Sequence, residues 1–419
     1  MVMMAKRLVD IEHGLLDRRI FVDPEVYQRE LEQVFARCWL YIGHESQIPE
    51  PHDYITMYMG EDPVVVCRDG DGKVRAFLNM CRHRGNRVCR ADRGNAKYFM
   101  CTYHGWTYGS DGKLASVPGM KELYYDELDP SQWGLVEVAQ LDIYKGLIFA
   151  TFDSQAPPLL EYLGGQAREL DLILDRREGG TELIGGVHKW VLNANWKYAA
   201  DNFFGDDGHH AVTHASIRRV EVDERFYIQS NDDARLRDAD PFAQMPAGTI
   251  RNYFQEHQPE LVERVGAERA RQGSLVTTVF PNCSLNLGRH MVRLWLPRGP
   301  ERTEIWSFCI VDKAVPPEVK EAMRLHLMQT FGPAGNVEQD DMNNWMQCTE
   351  TARGWVARRY PQVVQAGLGH EADAPATGGG FRLRAFYHRW GQMMDAKSWS
   401  DVNITYGPWR IRHGAATPA

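Results

Sequence analysis

The chain has 419 residues, 43% hydrophobic and 25% charged, and its 48 basic against 56 acidic residues leave a net charge of −8. At roughly 100–200 residues per domain that length holds two or more domains, and the acidic balance excludes nucleic acid as a default partner. Eight cysteines are too sparse for a disulfide-stapled secreted scaffold, and no uncharged apolar run approaches the ~20 residues that span a bilayer, so the expectation is a cytoplasmic protein with no membrane partner.

In chain order, the first predicted element is a helix over residues 23–38. Asp23 is a good N-cap, Pro24 suits the first helical position, and Val26, Tyr27, Leu31, Val34 and Phe35 recur at roughly helical spacing. From about residue 39 the pattern turns to β. Val64–Val66, the turn residues Asp69-Gly70-Asp71-Gly72 and Val74–Leu78 read as a hairpin, Asp111-Gly112 marks another turn, and Trp133–Phe152 alternates as more of a small sheet. Residues 39–157 thus read as an all-β domain with long loops. Beyond residue 158 the types mix. Val187–Leu192, Val276–Phe280, Met291–Leu296 and Thr303–Val311 read as strands. Asn195 caps a helix through Asn202 and Phe203, Pro316–Thr330 is a second helix, and a third runs through Asn343 and Met346 after Gly332-Pro333-Ala334-Gly335. Gly367–Gly380 reads as a surface loop. Strands followed by helices, without strict βαβ alternation, predict the α+β class.

Two short motifs in the β domain carry chemistry: Cys81-x-His83 and, seventeen residues on, Cys101-x-x-His104. Two Cys-and-His pairs on two loops can converge on metal. A tetrahedral zinc site uses Cys2His2, whereas a Rieske-type [2Fe–2S] cluster puts two cysteines on one iron and two histidines on the other. The ordering favours the cluster, because each loop then gives one ligand to each iron. Gly105 lets backbone approach and Trp106 shields. Respiratory Rieske proteins brace these loops with an extra disulfide near the positions of Asn86 and Tyr103; neither is Cys here. The remaining cysteines, including Cys89, read as small apolar residues.

A second cluster spans Asp206-Asp207-Gly208-His209-His210 to His214. Non-haem Fe(II) oxygenases hold iron by two His and one carboxylate on one face, leaving the other face open. The carboxylate must come from a distant segment, and Glu338-Gln339-Asp340-Asp341 is the best source. The alternative is a set of acidic residues complementing a helix dipole.

With these residues in place, the chain resembles the catalytic α subunit of the Rieske non-haem iron aromatic-ring-hydroxylating dioxygenases, in the branch acting on biphenyl, toluene, naphthalene and phenylpropionate. The resemblance runs from the helix at Asp23 to Phe386-Tyr387-His388-Arg389-Trp390. Its motifs are Cys81-x-His83…Cys101-x-x-His104-Gly-Trp, Asn195-Trp196-Lys197, Asp206-x-x-His209-x4-His214 and Phe331-Gly-Pro-Ala-Gly…Asp340-Asp341, in family order. It implies an all-β Rieske [2Fe–2S] domain, residues 39–157, inserted in a larger catalytic domain, residues 1–38 and 158–419, whose central antiparallel β-sheet is flanked by helices. It selects His209, His214 and Asp341 as ligands of one Fe(II), over a shifted set using Asp207 and His210. Asp206 becomes a bridge between His209 and His104 of a neighbouring copy, with a role in electron transfer. Asn202, Phe203, Leu285, His290 and Phe331 become candidate walls of the substrate pocket; the alternative for each is core packing.

No Gly-x-Gly-x-x-Gly follows a strand, so electrons come from another protein. The resemblance implies a ferredoxin and an NADH-dependent reductase, a small β subunit in an α3β3 assembly (or α3 alone), O2, and an aromatic substrate converted to a cis-dihydrodiol. Arg289 and Arg293 share one strand face by parity. Lining the pocket, they would suit an aromatic acid such as salicylate and a monooxygenase reaction. The base rate for arginine favours solvent exposure instead. A reading from another class, a non-enzymatic zinc or electron-transfer protein, leaves His209, His214 and Asp341 without a purpose.

Overall fold

The computed structural model describes residues 7–206, 209–215, 242, 245–246, 248–271, 276–370 and 380–404. Its contacts separate the chain into one unit of Phe35–Ala156 and another of Met1–Val34 with Pro157–Ala419. The first helix, α1 (Pro24–Glu30), starts as predicted: the Asp23 carboxylate accepts from the Glu25 and Val26 N–H groups, and Pro24 needs no partner. The expected continuation to residue 38 is different in kind. The chain winds as a π-helix over Leu31–Phe35 and then leaves the helix.

In the 35–156 unit, β1 (Leu40–His44) is followed by β2 (Asp53–Met59), β3 (Asp62–Arg68), β4 (Val74–Leu78) and β5 (Arg93–Asn95). The last four form one antiparallel sheet in the order β4-β3-β2-β5. The β3–β4 turn is held by the Asp69 carboxylate, which accepts from the Asp71 and Lys73 N–H groups at 3.0 and 2.9 Å. A second small sheet orders β6 (Tyr98–Met100), β7 (Thr107–Gly109) and β8 (Leu114–Ser116). The predicted strand region 133–152 resolves into a hairpin of β9 (Gln140–Tyr144) and β10 (Leu147–Thr151), which pairs with β1. Val65, Cys67, Phe77, Phe99, Tyr108 and Leu114 form the core, and Cys81, Cys101 and Trp106 belong to the same buried cluster.

The other unit is built on a five-stranded antiparallel sheet. Its strands are β11 (Thr181–Leu192), β12 (Val276–Val279), β13 (Cys283–Asn286), β14 (Met291–Pro297) and β15 (Thr303–Asp312), in the order β11-β15-β14-β13-β12. Strand β11 begins six residues before the predicted start. Gly185 and Gly186, both with positive φ, shift the register between Ile184 and Val187 and break the alternation that the sequence would otherwise show. Every residue of β13 and β14 is buried, so these strands are covered on both faces. Helix α2 (Trp196–Gly205) packs on β12, β13 and β14. Helices α3 (Pro317–Phe331), α4 (Glu338–Ala352) and α5 (Phe381–Asp395) complete the α+β arrangement that the element pattern predicts. Of the predicted loop 367–380, residues 371–379 lie outside the described residues. Among the described residues no helix is long and apolar enough to cross a membrane.

Candidate metal centres

Two loops in the 35–156 unit repeat one hydrogen-bond pattern. The Cys81 N–H donates to the Asn86 carbonyl and the Gly85 N–H to the Cys81 carbonyl, at 2.8 and 2.9 Å; the Cys101 N–H donates to Trp106 and the Gly105 N–H to Cys101 at the same two distances. Gly85 and Gly105 sit at φ 78° and 74°, a left-handed turn that glycine adopts without strain. At Gly105 an added Cβ would also stand 2.9 Å from Pro118. The pattern presents a cysteine and a histidine from each loop.

Cys81 and Cys101 are both buried. The His83 and His104 rings lie 4.6 Å apart, and His83 stacks on Trp106 at 5.1 Å. Burial, with help from His104 and Arg84, lowers the His83 pKa and so favours the neutral ring, the form that binds metal. Its Nδ1 is buried with no hydrogen-bond partner. Burial pushes the Cys101 thiol up, but the Tyr103 N–H, the Asn86 amide, Cys81 and the His104 N–H outweigh it and hold the thiol below its ordinary range. These residues fit a metal group. The four donors do not converge on one point: the only set of three donors within 4.8 Å among the described residues lies elsewhere. A tetrahedral zinc would require such convergence, whereas a two-iron cluster separates its sulfur and nitrogen ends. Two neighbours of the cysteines carried no signal in the sequence. The Tyr108 hydroxyl lies 3.3 Å from Cys81 Sγ, and the Asn86 amide donates to Cys101 Sγ at 3.7 Å.

The set that does converge is His209, His214 and Asp341. Helix α2 delivers the segment. Asn195 caps it by accepting from the Lys197 N–H at 3.0 Å, and the chain leaves the helix at Asp206. Asp341 comes from the first turn of α4. Its Oδ1 stands 3.5 Å from His209 Nε2 and 3.4 Å from His214 Nε2. Burial and the like charges of Glu338, Asp206 and Asp340 push the Asp341 carboxyl well up, and Arg293 opposes them only in part. A buried site with two imidazoles and surplus negative charge suits a divalent cation. His209 Nδ1 is bonded to the backbone carbonyl of Asp206, which fixes the ring, and the Asp206 carboxylate is 3.7 Å from the same nitrogen. The Asp206 side chain is 42% exposed. For the shifted set, Asp207 and the His210 side chain lie outside the described residues.

The pocket candidates divide. Phe203 and Phe331 come together edge to face, with ring centroids 5.8 Å apart. Asn202 is half-buried and donates to Asp206 Oδ2 at 3.5 Å. Leu285 is fully buried on β13. His290 lines a small cavity of about 10 Å³ with Arg176, Phe254, Leu287 and Asp312, and stacks on Phe254 at 5.3 Å.

The expectation of two solvent-facing arginines on one strand face needs correcting. Arg289 belongs to a 3-10 turn, Leu287–Arg289, so strand parity does not reach it. Its guanidinium is 3.0 Å from His326 Nε2, and burial lowers its pKa to about 10. Arg293 is fully buried and ion-paired with Glu338. A partner 45 residues away overrides the base rate for arginine.

Two family models match the chain: Rieske [2Fe–2S] domain over residues 38–139, and ring hydroxylating alpha subunit (catalytic domain) over residues 162–396. The biphenyl dioxygenase subunit alpha of Paraburkholderia xenovorans is 39% identical over 433 residues, covering 94% of each chain. The chlorobenzene dioxygenase subunit alpha of a Cupriavidus species is 40% identical, covering 95% of each. A naphthalene 1,2-dioxygenase structure with indole in its active site superposes with a TM-score of 0.87 at 34% identity, covering 94% of this chain and 95% of that one.

Proposed function

The chain belongs to the ring-hydroxylating α-subunit family, oxidoreductases with a Rieske [2Fe–2S] domain and a non-haem iron catalytic domain, and from that premise we propose which residues act and on what. The family reaction joins O2, two electrons and two protons to an aromatic ring as a cis-dihydrodiol. When bound, the cluster passes single electrons and the mononuclear iron activates O2.

Cys81 and Cys101 would hold one iron of the cluster, and His83 and His104 the other. His209, His214 and Asp341 would hold the mononuclear iron. The convergence of those three residues carries the reading, because a non-enzymatic zinc or electron-transfer protein would leave a second, open-sided ligand set without a role. The Asp206 backbone carbonyl orients His209, while its exposed carboxylate is available to a histidine of a neighbouring copy. A fixed carboxylate between two imidazoles supplies a short path for the electron. That role, proposed between His209 and His104 of the next α subunit, calls for a ring of α chains. An α3β3 assembly with a small β subunit provides it, fed by a ferredoxin and an NADH-dependent reductase. Asp206→Asn is expected to keep both metal centres and to slow electron delivery to the mononuclear site by tenfold or more. Single-turnover kinetics equal to the parent protein would refute the bridge.

As candidate pocket walls, Phe203 and Phe331, whose rings meet edge to face, would suit an aromatic hydrocarbon. Of the two arginines that would suit an aromatic acid, Arg293 is committed to Glu338 and so gives that alternative no support. The test is O2 uptake with reconstituted reductase and ferredoxin on biphenyl, naphthalene, phenylpropionate and salicylate, with 18O2 and product identification. A cis-dihydrodiol carrying both labelled atoms is the expected product. A singly labelled phenol would make the protein a monooxygenase, and a colourless, zinc-containing preparation would end the oxygenase reading.

A further inference from the structure

Arg293 has no place in the ligand set, yet it is fully buried at the centre of the catalytic sheet. Its guanidinium reaches three directions. One nitrogen pairs with Glu338 Oε2, and another donates to the Phe331 carbonyl and, at 3.3 Å, to Ser307 Oγ. Phe331 is the last residue of α3 and Glu338 the first of α4. One side chain therefore ties both ends of the Gly332–Val337 connection to strand β14. Asp341 follows Glu338 by three residues, on the same side of α4. The connection itself has little slack: a Cβ on Gly332 would stand 2.5 Å from the Met328 carbonyl, and one on Gly335 2.2 Å from that of Thr330. Around the guanidinium stand Trp190, Trp295, Phe203 and Phe331, with centroids 5.1, 5.2, 5.5 and 5.7 Å away.

We propose that Arg293 is a positioning residue for the mononuclear site, setting through Glu338 and the Phe331 carbonyl where Asp341 and the Phe331 ring stand. The inference rests on the reading of His209, His214 and Asp341 as iron ligands. A point charge does not replace it, because a planar fork is needed to reach the carboxylate and the carbonyl together. Stability alone is a weak reason for such a pair. Buried ion pairs exchanged for apolar residues of similar volume often leave a protein as stable or more so.

The test uses the full α chain with its partners, in four variants: R293K, R293M, the double R293M/E338L, and D341A. Iron is counted against cluster content after a chelator challenge, the ferrous nitric oxide adduct is examined by EPR, and thermal unfolding reports the fold. Residues that orient metal ligands are typically worth 10–100-fold in metal affinity. The double variant is therefore expected to unfold like the parent but to bind mononuclear iron about tenfold more weakly, with an altered EPR line shape and a changed ratio of product regioisomers. R293K keeps the charge and loses the fork, and should fall between. A double variant with parental iron affinity and line shape overturns the proposal. Should that variant not fold, parental behaviour of R293K does the same. If D341A releases the iron while R293M/E338L retains it, only the positioning role fails. If D341A keeps its iron, the ligand reading fails and takes the proposal with it.

Discussion

Single atoms set the properties of the two centres. Tyr108 places its hydroxyl 3.3 Å from Cys81 Sγ and accepts the Arg82 N–H at 3.0 Å. With Cys81 as the proposed cluster ligand, the hydroxyl would donate to its sulfur, and a donor to sulfur favours the reduced, more negative cluster. Tyr108→Phe is expected to lower the cluster potential. One hydrogen bond of about 1 kcal/mol corresponds to ~40 mV for a one-electron couple. An EPR-monitored redox titration reads this directly, and an unmoved potential would mean that the hydroxyl does not donate to Cys81. His83 and His104 are paired in space but not equal: His83 is stacked against Trp106, whereas His104 is exposed. That asymmetry makes His104 the more accessible of the two proposed histidine ligands.

At the scale of elements, helix α2 and the start of α4 determine whether the second centre exists. Asn195 serves α2 in more than one way. Its side-chain oxygen caps the helix, and its amide donates to the Phe21 and Pro300 carbonyls at 3.1 and 2.6 Å. One residue thus ties the helix to the N-terminal segment and to the β14–β15 connection. Asn195→Ala loses the cap, worth ~1 kcal/mol, and strands two carbonyls. The expected loss is about 2–4 kcal/mol, seen as a lowered unfolding midpoint of the catalytic unit. Asn195→Asp keeps only the cap and sets a negative charge against both carbonyls, so it should not rescue. A neutral Ala variant would show that water replaces those bonds.

Across the whole molecule, the acidic net charge conceals a specific pH dependence. Asp312, at the end of β15, is buried. That burial pushes its carboxyl up to about 6 from an ordinary 3.8, with Arg176 opposing. The folded chain then holds this proton more tightly than the unfolded chain. Its contribution is therefore most favourable below pH ~4 and declines as the pH rises to ~6, by a total on the order of 3 kcal/mol. Asp312→Asn should remove that slope, matching the parent near pH 4 and exceeding it at pH 7. Denaturation midpoints over pH 4–7 would decide, and parallel curves for the two proteins would contradict the assignment.

The sequence by itself determined what is local. Cys81-x-His83 and Cys101-x-x-His104 announce their loops because each loop closes within five residues through its own backbone bonds. The Asp69–Gly72 turn and the Asp23 and Asn195 caps are legible for the same reason: their partners lie two to four residues away. The resemblance to a known family carried the choice of Asp341 over its neighbours, since Asp340 and Asp341 are equivalent to any reading of spacing. Tertiary structure alone decided the rest. It turned Arg293 from an expected surface residue into a buried tie between α3 and α4. It set His290 against Phe254, Arg176 and Asp312, and extended β11 through a bulge. Burial of a charge depends on a partner far along the chain, and strand parity fails wherever a bulge or a 3-10 turn intervenes.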